Sequence, residues 1–245
     1  MRLLVSVRDA REASAALAGG ADIIDAKEPG DGPLAPVAPH VLQAICAAVP
    51  LSSPLSVALG DSGPAELAAV VSAVAPLRRR RELYFKAAVH GPASAGAIEA
   101  ISAARRCLAS RADAPSLIVA RYVDAPEAIH DLRAWVDACA TAGARGLLLD
   151  TSVKDGQSLP ATSGGSALSA LRRHAHRRGI WLAIAGGVTP ADMPLLAEVR
   201  PDVVGVRGSA CDGGRAGELS AVRVASLRDA LRRVSLRRRP PALPV

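Results

Sequence analysis

The sequence predicts a single (β/α)8 barrel. Eight short apolar runs alternate with amphipathic, alanine-rich segments along the chain. The runs are almost continuously apolar, as strands of a parallel sheet buried on both faces must be. The stretch after the first run, Ser6-Val7-Arg8-Asp9, lacks the G-x-G-x-x-G turn that an open, doubly wound sheet usually carries there.

The elements follow in order. Leu3–Val7 is the first strand, and Met1–Val7 is too short an apolar stretch for a signal peptide. A helix near Arg8–Ala18 opens with Asp9 and Glu12 at capping-box spacing and stops at Gly19-Gly20. Strands two to four are Asp22–Lys27, Leu55–Leu59 and Leu83–Val89. Gly63-Pro64 starts the helix after the third, because proline suits the first helical turn. Strand five, Ser116–Arg121, leads to a helix from about Pro126 to Ala142. Strand six is Gly146–Asp150. Strand seven, Ile180–Ala185, precedes a cap-then-proline start at Thr189-Pro190. Strand eight, Asp202–Arg207, precedes a last helix over Leu219–Val234. The barrel domain is expected over 1–235, with an Arg/Pro-rich, disordered tail over 236–245.

Half the residues are apolar but only 2% are aromatic, so Ala, Val, Leu and Ile must build the core. Scarce aromatics also argue against a surface that stacks nucleic-acid bases. The net charge of +7 owes much to Arg78–Arg81 and Arg237–Arg239. These read as a helix end and a frayed terminus rather than a nucleic-acid site. A modest basic excess also suits an anionic substrate. Cys46, Cys107, Cys139 and Cys211 form no C-x-x-C pair and no zinc spacing, which fits a reducing cytoplasm. No apolar run is long enough to span a bilayer. His40, His90, His130, His174 and His176 form no cluster with acids that suggests a metal.

The charge is unevenly distributed between residue types. Three lysines, Lys27, Lys86 and Lys154, stand among twenty-seven arginines, and each closes an apolar, strand-like run. A guanidinium stays protonated, whereas a lysine whose pKa is lowered serves as nucleophile or base. Catalytic side chains of barrels project from the C-terminal strand ends. Asp25 and Lys27 lie two apart on one strand and share a face. Asp150 follows three leucines and marks the mouth. Clustered ammonium groups repel one another, so one of the three loses its proton more readily.

The loops after strands seven and eight frequently bind phosphate in such barrels. Here they read Ala185-Gly186-Gly187-Val188 and Val206-Arg207-Gly208-Ser209, the latter running on to Arg215. Gly186, Gly187, Arg207, Gly208 and Ser209 are the candidate phosphate contacts.

Together these motifs resemble the (5-formylfuran-3-yl)methyl phosphate synthase family, also called 4-(hydroxymethyl)-2-furancarboxaldehyde-phosphate synthases. The resemblance rests on Leu3-Leu4-Val5-Ser6, Gly19–Pro29, Lys86, Leu149–Gly156 and Asp202–Cys211, and spans nearly the whole chain. It implies a lyase that condenses two glyceraldehyde 3-phosphates through a lysine Schiff base, without metal or redox cofactor, and feeds methanofuran biosynthesis. By matching position it implies Lys27 as the Schiff-base lysine, Lys86 as proton acceptor, and Asp25, Asp150 and Lys154 as aids to proton transfer. The chain departs from the family pattern at Leu34-Ala35-Pro36 and at Ala87–Gly91, both flanking the mouth. The expected partner is a small sugar phosphate, with no nucleic acid and no membrane, and self-association is left open. Three readings compete: an aldolase-like Schiff-base enzyme acting on another phosphorylated aldehyde, a barrel that binds a phosphate ligand without turnover, and a basic nucleic-acid-associated protein.

Overall fold

The computed structural model describes residues 1–62, 82–109, 115–124, 131–153 and 157–236. Eight parallel strands close into a barrel in sequence order: β1 Arg2–Val7, β2 Ile23–Ala26, β3 Leu55–Ser62, β4 Leu83–Val89, β5 Ser116–Tyr122, β6 Gly146–Asp150, β7 Trp181–Ile184 and β8 Val203–Val206. Closure is direct, because β1 pairs with both β2 and β8. The described helices are α1 Ala10–Ala18, α2 Pro39–Ala48, α3 Ala95–Ala109, α4 Leu132–Ala142, α5 Leu159–Ser163, α6 Gly165–Arg177, α7 Met193–Val199 and α8 Ala221–Leu236. All eight expected strands are present; β4 and β6 have the expected bounds, and the other six differ by one to three residues at one end or both. The helix start at Gly63-Pro64, Arg78–Arg81, Pro126, Lys154 and the tail beyond Leu236 lie outside the described residues.

Between strands and helices the core is aliphatic, as the composition requires. Leu3, Val5, Phe85, Ile101, Leu147 and Leu182 are among its buried members, with Trp135 the largest. Two of the few aromatics close the barrel floor. Tyr84 and Trp181 meet at 5.8 Å between ring centroids, packed with Ile23 and Val203. Arg145 lies 4.0 Å over the Trp181 ring, a cation–π contact worth about 0.5–2 kcal/mol. At the opposite end, Leu34 from the β2–α2 loop folds down against Ala88, Ala120 and Leu148 and is almost fully buried. Burying a leucine contributes about 1.5–3 kcal/mol, so this loop is pinned over the mouth by a core-like contact. No helix among the described residues is long and apolar enough to cross a membrane.

Candidate active site

A cavity of about 400 Å³ opens at the C-terminal ends of the strands. Lys27, Lys86, Asp150, Gly208, Ser209 and Arg215 are among its walls. Strand alternation puts the charged groups here. Ser6 and Asp25 are register partners on β1 and β2, so their side chains share the barrel interior. Lys27 follows one residue beyond the end of β2. Lys86 comes from β4 and Asp150 ends β6.

Asp25 is completely buried. Its Oδ2 accepts 2.7 Å hydrogen bonds from both Lys86 Nζ and Ser6 Oγ. Its Oδ1 has no hydrogen-bond partner among the described residues. Burial alone would push this carboxyl up, but the charges of Lys86 and Lys27 and the two hydrogen bonds outweigh it and hold it below the ordinary value. Asp25 is therefore an anion ion-paired to Lys86 at neutral pH.

Lys27 stands differently. It is 5% exposed, and its Nζ makes no hydrogen bond or ion pair with any described residue. Burial pushes its pKa from 10.5 down to about 8. Asp150 and Asp25 pull it back up, while Lys86 and Arg215 push it further down. At pH 7 this drop raises the neutral, nucleophilic fraction about 300-fold over a solvated lysine.

Of the expected site residues, Lys27, Lys86 and Asp150 line one cavity, and Asp25 lies against it through Lys86. Lys154 lies outside the described residues. Gly186, Gly187, Gly208 and Ser209 also line the cavity, and Ser209 Oγ is buried with no partner among the described residues. Gly186 and Gly187 have a further reason to be glycine. Both have positive φ, and a Cβ at Gly187 would stand 2.8 Å from the Gln157 carbonyl oxygen.

Arg207 also lines the cavity, and its guanidinium is already taken up by partners within the protein. Its Nε donates to the Arg215 carbonyl, Nη1 to Glu12 and the Ser6 carbonyl, and Nη2 to Glu12 and the Gly217 carbonyl. All five N–H groups are thus engaged inside the protein. Glu12, expected to complete the α1 capping box, instead accepts from Arg8 N–H and Arg207, while Asp9 caps α1 as expected. Arg215 remains available. It donates to the carbonyls of Pro29 and Gly32, and its Nη1 has no partner among the described residues. His90 is exposed and lines a separate depression beside Asp61 and Tyr122.

Sequence reasoning missed Ser6 and Glu12 as parts of the site. The signal for Ser6 was a hydroxyl inside an otherwise apolar strand run, directly beside Asp25 in the β1–β2 register.

Fold and site together define a (β/α)8 barrel enzyme that keeps a poorly solvated, low-pKa lysine beside a buried lysine–carboxylate pair at its mouth. The fold is shared with phosphoribosyl anthranilate isomerase from Thermus thermophilus (TM-score 0.62, 19% identity, 96% of this chain and 100% of that one). It is shared too with KGPDC from Streptococcus mutans (TM-score 0.61, 15% identity, 95% and 98%). At such identity these show the barrel alone. The sequence pattern of the 4-HFC-P synthase family matches residues 3–228, and the chain belongs to that family. Relatives named (5-formylfuran-3-yl)methyl phosphate synthase include those of Methanocaldococcus jannaschii (34% identical, 87% of this chain and 92% of the relative) and Methanosarcina mazei (33%, 88% and 92%).

Proposed function

We propose that this enzyme condenses two molecules of glyceraldehyde 3-phosphate to 4-(hydroxymethyl)-2-furancarboxaldehyde phosphate, which feeds the furan part of methanofuran, with Lys27 as covalent catalyst. The observation that carries this is a buried Lys27 amine without a hydrogen-bonding partner among the described residues, held near pKa 8. Such an amine adds to an aldehyde, and loss of water gives an imine. The imine acidifies the neighbouring C–H. Lys86 gives its proton to the hydroxyl that leaves as water when the imine forms, and the neutral amine, held by the ionised Asp25 across the 2.7 Å contact, then takes the C–H proton.

The resulting enamine attacks the aldehyde carbon of the second triose phosphate. Elimination of one phosphate and of water, with ring closure and hydrolysis of the imine, returns Lys27. Over the whole reaction two triose phosphates yield one furan phosphate, one inorganic phosphate and two waters. Asp150, whose charge acts on Lys27, would assist proton transfers at this rim, and the family resemblance gives Lys154 a like role. Arg215, Ser209 and the Gly208 backbone offer donors for the phosphate dianions. The names carried by the relatives support this reading.

The test is the protein incubated with glyceraldehyde 3-phosphate alone. A growing furan absorbance with release of one phosphate per furan is expected. A covalent lysine adduct without furan would assign the site to an aldolase-like reaction on another aldehyde.

A further inference from the structure

We propose that Ser6, Glu12 and Arg207 form a positioning relay for the reacting pair: Arg207, locked onto Glu12, holds the Ser6 carbonyl, and the Ser6 hydroxyl fixes the Asp25 carboxylate that orients Lys86. The relay is continuous in hydrogen bonds. Glu12 accepts from both Nη atoms of Arg207, and the same Nη1 donates to the Ser6 carbonyl at 3.1 Å. From that residue the hydroxyl reaches Asp25 Oδ2 at 2.7 Å, the oxygen that also receives Lys86 Nζ. Ser6, Asp25, Glu12 and Arg207 are each 5% exposed or less, so water does not substitute for any link.

The physical sense lies in the sharing of one oxygen. A carboxylate held by Lys86 alone pivots about that contact. A second donor from β1 removes the pivot and fixes where Lys86 Nζ sits relative to Lys27. None of the three relay residues needs to touch substrate. Asp25 also faces the Lys27 charge from its own strand, and the Ser6 hydrogen bond helps to keep it ionised.

The inference rests on the Schiff-base reading for its kinetic consequence, but the relay itself is testable without turnover. Infrared titration of protein carrying 13C-labelled aspartate, with Asp25→Asn to assign the band, reads the Asp25 carboxylate directly. In Ser6→Ala the Asp25 band is expected to titrate at higher pH than in the parent. The kcat for furan formation should fall roughly tenfold, the loss expected for one hydrogen bond to a charged group, with KM within about twofold. The acid limb of the pH–rate profile should move up with the band. Glu12→Gln should move the band in the same direction. A Ser6→Ala protein that loses thermal stability but keeps the parent's band position, kcat and acid limb would overturn the relay. A band that moves in Ser6→Ala but not in folded Glu12→Gln would overturn the Arg207–Glu12 half of it. Absence of furan formation in the parent, with the band shift intact, would instead count against the reaction and leave the relay standing.

Discussion

Lys86 donates to Asp25 across 2.7 Å, and the two side chains are almost entirely withdrawn from water. This pairing divides labour among the lysines. One amine is held as the cation of an ion pair, and the other, Lys27, is left beside two positive charges, Lys86 and Arg215, that favour its neutral form.

Lys86→Arg keeps the cation but not the compact amine that can give up its proton and act as a base. Adduct formation at Lys27 is expected to persist while turnover falls by about 100-fold or more, the range of a lost general base. Lys86→Met should cost about 3–5 kcal/mol in urea unfolding, because it strands a buried carboxylate. An unaltered kcat in Lys86→Arg would contradict the assignment.

The low pKa of Lys27 also has a stability consequence. In the folded state its pKa is about 8, against an ordinary 10.5. Between those values the unfolded chain binds the extra proton, so this residue makes stability rise with pH across about 8 to 10.5. Below pH 8 its full penalty, about 3 kcal/mol, is present. Lys27→Met is therefore expected to be more stable than the parent at pH 7, with the difference shrinking as the pH passes 8 towards 10.5. Denaturant unfolding of the two proteins at pH 7 and pH 9.5 checks this.

The two mouth arginines should separate cleanly. Arg207→Ala strands the buried Glu12 and is expected to lose about 3–5 kcal/mol of stability. Arg215→Ala should leave the barrel folded and raise KM about tenfold or more, while weakening competition by inorganic phosphate, because a charged donor is lost from the cavity. Equal effects on stability in both variants would refute the distinction.

Leu34→Ala tests the loop over the mouth. Removing a buried leucine side chain should cost about 2 kcal/mol or more. Water admitted beside the cavity should also raise the pKa of Lys27 and slow its labelling at pH 7.

Much of this was legible in the sequence. Strands buried on both faces write themselves as apolar runs, so β1 to β8 were all readable, and period-two alternation put Asp25 on the barrel side of β2. Lysine scarcity picked out Lys27 and Lys86 because few other primary amines competed for attention. What stayed hidden is set by tertiary pairing. A glycine-flanked arginine after β8 suggests a phosphate ligand, and nothing local reveals that Glu12, nearly two hundred residues away in sequence, has already engaged it. Likewise Gly186 and Gly187 line the cavity but owe their identity to a backbone crossing at Thr151 and Gln157. The partner of Asp25 was also set by three-dimensional packing: it is Lys86 from β4, not its sequence neighbour Lys27.

Peptide mass spectrometry after borohydride reduction, in the presence of glyceraldehyde 3-phosphate across pH 6–10, decides whether Lys27 or Lys86 forms the covalent link to substrate. One reduced triose adduct is expected on Lys27, absent in Lys27→Arg, with a trapping rate that rises to a plateau around an apparent pKa near 8. An adduct on Lys86 or Lys154, or trapping on Lys27 that keeps climbing towards pH 10.5 as for a solvated amine, would contradict this expectation.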